Sequence, residues 1–113
     1  MEIKKASWGD TLVISLSGSL DPDGAVALKG FMGDLVVTPP KNLLFDLSQL
    51  AYTGSAGLRE FFLAAKTMDR AGGKMVAFGM QKDVRHVFDL AGFATTYATP
   101  LTLAEAVDLL VKA

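Results

Sequence analysis

Residues 43–58 read LLFDLSQLAYTGSAGL, and the two ends of this stretch obey different rules. Asn42–Leu47 is a short apolar run bounded by turn-formers, the pattern of a strand buried on both faces. From Ser55 the period changes. Leu58, Phe61, Phe62, Ala65 and Met68 fall on one side of a helix that runs to about Ala71, with Arg59, Glu60, Lys66 and Arg70 on the wet side. Ser48–Gly54 between them reads as a loop. A buried strand feeding an amphipathic helix is the repeating unit of a parallel α/β sheet.

The unit recurs outward in both directions. Gly72-Gly73 stops the helix, Lys74–Gly79 reads as a second inner strand, and Gln81–Leu90 as a helix with Val84, Val87, Phe88 and Leu90 inward. Thr95–Ala98 suits a short edge strand. Pro100–Val111 suits a last helix with Leu103, Ala106, Val107 and Leu110 inward. Toward the N-terminus, residues 2–7 and Thr11–Ser17 flank Gly9-Asp10, a hairpin signal. Asp21-Pro22 reads as N-cap and first helical residue, opening a helix over Pro22–Val36 with Val26, Leu28, Phe31, Met32 and Leu35 inward. Gly24, Gly30 and Gly33 make that helix irregular. The expected fold is a single α/β domain over residues 1–113. It has a mixed four- to five-stranded sheet, an N-terminal antiparallel hairpin and about four helices.

Composition narrows the function. Half of the 113 residues are hydrophobic, enough for one core without staples, and the chain has no cysteine. Eleven basic residues face twelve acidic ones with no basic block, which argues against a nucleic-acid groove. No apolar run reaches the roughly 18 residues of a membrane helix, and the start lacks a signal-peptide core. A cytoplasmic protein with no membrane insertion is the expectation.

No catalytic constellation is visible. Thr53-Gly54-Ser55-Ala56-Gly57 lacks the glycine two residues before the serine that a nucleophile elbow needs. The single histidine, His86, reads as an ordinary surface residue. Gly72-Gly73-Lys74 lacks phosphate-loop spacing, and the carboxylates have no metal-ligand spacing. No enzyme activity, metal or cofactor is therefore expected. Two loops at the carboxyl ends of strands, Ser17–Pro22 and Ser48–Ser55, are the natural places for function. Ser55, at the start of the best helix, admits two readings. One is an N-cap worth about 1 kcal/mol. The other is an exposed hydroxyl whose phosphorylated form the helix terminus would tolerate.

The stretch 43–58 also resembles the STAS domain of bacterial anti-sigma-factor antagonists. Asp46-Leu47-Ser48, Leu50 and Ser55-Ala56-Gly57-Leu58 are similar to the family's D-L-S, following apolar position and [D]-S-[STA]-G-L. Gly18-Ser19-Leu20-Asp21, Ala71–Met75 and Val84–Phe93 resemble further family segments in the same order. The resemblance implies a protein that binds an anti-sigma factor which is also a serine kinase, is phosphorylated at Ser55, and is reset by a serine phosphatase. It also implies a partner face comprising Ser19, Asp21, Ser48, Tyr52, Thr53, Gly54, Ala56 and Arg59. The family's aspartate before the serine is Gly54 here. That departure leaves open an unswitched adaptor subunit, docking to another protein or to transport machinery.

Overall fold

The computed structural model describes residues 1–111, with every side chain among them except that of Val36. Strands β1 (Glu2–Trp8), β2 (Thr11–Leu20), β3 (Asn42–Thr53) and β4 (Lys74–Phe78) form one sheet in the order β1-β2-β3-β4. The hairpin β1–β2 is antiparallel and turns at Gly9, whose φ of 59° explains the glycine. The pairs β2–β3 and β3–β4 are parallel. Helices α1 (Pro22–Phe31), α2 (Gly33–Val37), α3 (Ser55–Arg70), α4 (Lys82–Leu90), α5 (Phe93–Thr96) and α6 (Leu103–Val111) complete the described chain. No helix among the described residues is long and apolar enough to cross a membrane.

The two sheet faces differ in cover. Ile14, Leu16, Leu43, Phe45 and Leu47 meet Phe61, Ala65 and Met68 of α3 and Val84 and Phe88 of α4 in the main core. Phe45, Phe61, Phe88, Phe93 and Phe62 form a chain of ring contacts, with successive centroids 5.0, 5.1, 5.0 and 5.0 Å apart. On the opposite face, Ala106 and Leu110 of α6 cover Val13, Leu44, Val76 and Phe78.

Several expectations need correction. Ser48–Gly54 is not a loop, because β3 runs on to Thr53 and β2 runs on to Leu20. The two keep pairing beyond the end of β4 through register shifts between Ser15 and Ser17 and between Gly18 and Ser19. These irregularities put Leu47, Leu50 and Thr53 inward and so hide the alternation by which a strand is recognised. The helix expected over Pro22–Val36 breaks at Met32, between Gly30 and Gly33, and resumes as α2. Val26 and Phe31, expected inward, are exposed, and so is Leu90. Thr95–Ala98 is no strand. Its first residues belong to α5, and Ala98 makes one parallel bridge with Val76. The Tyr97 hydroxyl donates to Asp69 across 3.3 Å, and burial, then the Asp69 charge, hold that phenol above its ordinary pKa. The last helix starts at Leu103 rather than Pro100. Thr102 Oγ1 accepts from the Glu105 N–H at 3.2 Å, which caps the helix, and donates to the Glu105 carboxylate at 3.0 Å. Leu103 and Val107 stay largely exposed, since α6 turns only Ala106 and Leu110 to the sheet.

Candidate functional site: two helix starts at one end of the sheet

At the carboxyl ends of β2 and β3, Ser19 stands beside Tyr52 and Leu20 beside Thr53. The Gly54 N–H closes this end by donating to the Leu20 carbonyl at 3.1 Å. Each strand then turns directly into a helix, so the N-termini of α1 and α3 lie side by side. Asp21 is the N-cap of α1. Its Oδ1 accepts from the Gly24 N–H at 2.7 Å, and Pro22 occupies the first turn, where a missing N–H costs nothing.

The N-cap of α3 is Gly54, with extended backbone and no side chain to offer. Ser55 is therefore the first helical residue, one place later than the capping position. It is exposed, and no side-chain bond caps this helix end. The backbone N–H groups of the first turn thus keep their partial positive charge facing outward. Gly57 seats the turn against the sheet. A Cβ there would overlap the Leu20 side chain and stand 2.7 Å from Thr53 Oγ1.

The expected partner face divides. Ser19, Asp21, Tyr52, Ala56 and Arg59 are exposed around Ser55, and Gly54 is half-buried among them. The Tyr52 hydroxyl curls over Gly54, 3.1 Å from where a Cβ would stand. Thr53 does not join this surface. It is 2% exposed, and its hydroxyl donates to the Gly54 carbonyl at 3.1 Å. Ser48 is also elsewhere, roughly 13 Å back along β3 from Tyr52 at ~3.3 Å per residue. Its N–H and hydroxyl donate to Asp46 Oδ1 at 3.0 and 2.6 Å, and its carbonyl accepts from Gln81 Nε2 at 3.0 Å. The Asp46-Leu47-Ser48 segment thus secures the first register shift of β3.

The residues read as outward also include one that is not. Glu60 lies on the buried side of α3, 8% exposed, where the wet face was expected. The groove between α1 and α3 explains this. It starts at Pro22 and Ser55, passes Val26, Glu60 and Leu63, and continues between α3 and the α1–α2 break as far as Arg70. The spacing Gly57, Phe61, Ala64, Met68 places Glu60 at the margin of the buried stripe. That spacing is the sequence signal that could have found it. Among the described residues no group of three or more potential ligands is arranged to hold a metal ion.

A four-stranded mixed sheet with a serine displayed at the start of its central helix defines a small α/β domain with an exposed helix mouth at one end of the sheet. The STAS domain model matches residues 2–106, and the chain belongs to that family. The anti-sigma-F factor antagonist RsfB of Mycobacterium tuberculosis is 32% identical over 104 residues, covering 89% of this chain and 82% of that protein. The fold agrees with the crystal structure of an anti-sigma factor antagonist from Mycobacterium paratuberculosis. That chain gives a TM-score of 0.89 at 24% identity, with 98% and 94% of the two chains covered. It also agrees with the anti-sigma factor antagonist SpoIIAA in its unphosphorylated form, with a TM-score of 0.82 at 18% identity over 95% and 94% of the chains. SpoIIAA of Bacillus in its phosphorylated form gives 0.76 at 17% identity over 95% and 97%.

Proposed function

We propose that this protein is an anti-sigma-factor antagonist that binds an anti-sigma factor with serine-kinase activity, and that phosphorylation of Ser55 ends the complex. One observation carries the reading. The Ser55 hydroxyl is exposed at the first position of an uncapped helix, so it is free to react and its product is free to stay. In the transfer, Ser55 Oγ forms a bond to the γ-phosphorus of ATP, the bond to ADP breaks, and the hydroxyl proton passes to a base of the kinase. The product carries nearly two negative charges. The open N–H groups and dipole of α3 stabilise them in place, so the domain keeps its fold while its partner surface gains negative charge. Asp21, Ser19, Tyr52, Gly54, Ala56 and Arg59 surround the hydroxyl and form the contact surface in this reading. A serine phosphatase would reset the cycle. RsfB, an anti-sigma-F factor antagonist by name, and a phosphorylated form of SpoIIAA support the same assignment.

Gly54 favours a second reading, in which the same face docks a partner without a phosphorylation switch. Incubation with the cognate serine kinase and ATP, followed by mapping of the modified residue by mass spectrometry, separates the two. Phosphate at Ser55 together with loss of the complex supports the switch. An unmodified Ser55 and a complex that persists with ATP rule it out and leave the adaptor.

A further inference from the structure

We infer that the groove between α1 and α3 receives an acidic, amphipathic segment of the partner protein, its carboxylates facing Lys29, Arg59, Lys66 and Arg70. The inference rests on the antagonist reading and states the charge its partner must bring to this surface.

The groove is the seam between two helix stripes. On α3, Ser55, Arg59, Leu63, Lys66 and Arg70 recur at intervals of three or four residues and so share one side of the helix. On α1, Pro22, Val26 and Lys29 repeat the pattern opposite them. The stripe on α3 spans about 22 Å at ~1.5 Å per residue, room for roughly four turns of a helix.

Charge is segregated along this seam. The chain carries 11 basic and 12 acidic residues, yet Lys29, Arg59, Lys66 and Arg70 line the groove against Glu60 alone among the acids. Asp21 and Asp23 stand at the head of α1, outside the lining. All four cations are exposed. Among the described residues none of them has an acid at ion-pair distance, and the pair found, Lys4 with Glu2, lies on β1. Unpaired charges of one sign along a groove attract the opposite sign and steer it into place.

Apolar surface lies between the charges. Val26 and Leu63 are 73% and 42% exposed, and Met32 and Leu35 line the groove further on. The matching segment therefore carries apolar side chains on one side and carboxylates along its edges. A nucleic acid fits less well, because no aromatic side chain lines the groove for its bases to stack on. A lipid surface fits less well too, since these cations flank a depression rather than crown a ridge.

The arrangement supplies a reason for phosphorylation to end the complex. Ser55 opens the groove, and Arg59 stands one helical turn further along it. A phosphate on Ser55 pairs with Arg59 and repels the carboxylates of an occupant. The modified protein thus meets its own basic groove with the charge its partner would have brought.

The test is calorimetric titration of the full chain with its cognate anti-sigma factor at about 50 and about 500 mM salt, which changes the range of screening. The groove variant is Lys66→Glu with Arg70→Glu, at the far end from Ser55 and outside the contact surface proposed above. The control, Lys4→Glu with Lys82→Glu, makes the same change of net charge on β1 and at the start of α4. At low salt the groove variant should bind about 10-fold more weakly and the control within about 2-fold of the parent. The groove deficit should shrink at high salt. Lys66→Gln with Arg70→Gln, which removes the charges without reversing them, should lose about 3-fold with the same salt dependence, and its thermal unfolding should match the parent. Parent-like affinity in both groove variants, or a loss that the control shares, overturns the inference and leaves the antagonist reading standing. Loss of binding to phosphatidylglycerol vesicles or to a single-stranded oligonucleotide, with the anti-sigma factor still held, also overturns it and gives the groove to that polyanion. No complex with the parent protein overturns the antagonist reading and takes the groove inference with it.

Discussion

The N-termini of α1 and α3 emerge side by side from adjacent strands, yet they are finished in opposite ways. At α1 the chain caps itself, with the Asp21 carboxylate 2.7 Å from the Gly24 N–H. That helix mouth is already supplied with negative charge. At α3 the capping position is Gly54, which has no side chain, and the serine comes one residue late. A closed mouth serves stability. An open mouth with an exposed hydroxyl beside it leaves the electrostatic role to be filled from outside. The difference teaches that Ser55 does not act as a capping residue, even though serine is among the favoured residues for capping.

The contrast can be broken or sharpened by substitution. The largest effect is expected from Ser55→Asp, which places a permanent charge at the open mouth. Binding to the anti-sigma factor should fall by about 100-fold, in line with the several kcal/mol that an unmatched interface charge costs. Circular dichroism and unfolding should stay close to the parent. Gly57→Ala comes next, because its Cβ overlaps Leu20 and Thr53. A loss of roughly 2 kcal/mol in urea unfolding is expected from overpacking of the seat that holds α3 on the sheet. Asp21→Ala removes the cap of α1 and should cost about 1 kcal/mol in the same assay. Ser55→Ala, by contrast, should change stability by less than ~0.5 kcal/mol, as an exposed residue without a structural bond does. It should also bind the partner without response to ATP. A cost equal to that of Asp21→Ala would show that Ser55 caps α3 after all, and the distinction between the two mouths would fall. The smallest effect is expected from Gly54→Asp, which offers α3 the cap that α1 already has. A capping carboxylate gains a few tenths of a kcal/mol over glycine. The Tyr52 hydroxyl, 3.1 Å from the new Cβ, must give way slightly and offsets part of that gain.

Much of this arrangement was legible in the residues. The run Asn42–Leu47, the helical period after Ser55, the Gly9 turn and the Asp21-Pro22 helix start all report local preferences, and local preferences survive when the neighbours are unknown. The misreadings share a physical cause. The second half of β3 reads as a loop because two register shifts replace the alternation of a strand by wider spacings. Glu60 reads as solvent-facing because its type suggests water. What buries it is α1, which comes from a distant part of the chain and packs across α3. Thr53 is sealed while Tyr52 beside it is open because neighbouring strand residues face opposite sides and Gly57 of α3 sits close upon Thr53.

The residues alone determined the hairpin turn at Gly9, the strand begun at Asn42, the helix start at Asp21-Pro22, and the serine at the head of the third helix. Each of these depends on backbone preference or on side-chain period within one segment. Which helix mouth is closed, which acid is buried and which groove reaches the serine were decided by assembly. Those properties belong to surfaces contributed by separate segments, and such surfaces exist only once β2 and β3 have paired and α1 has packed against α3.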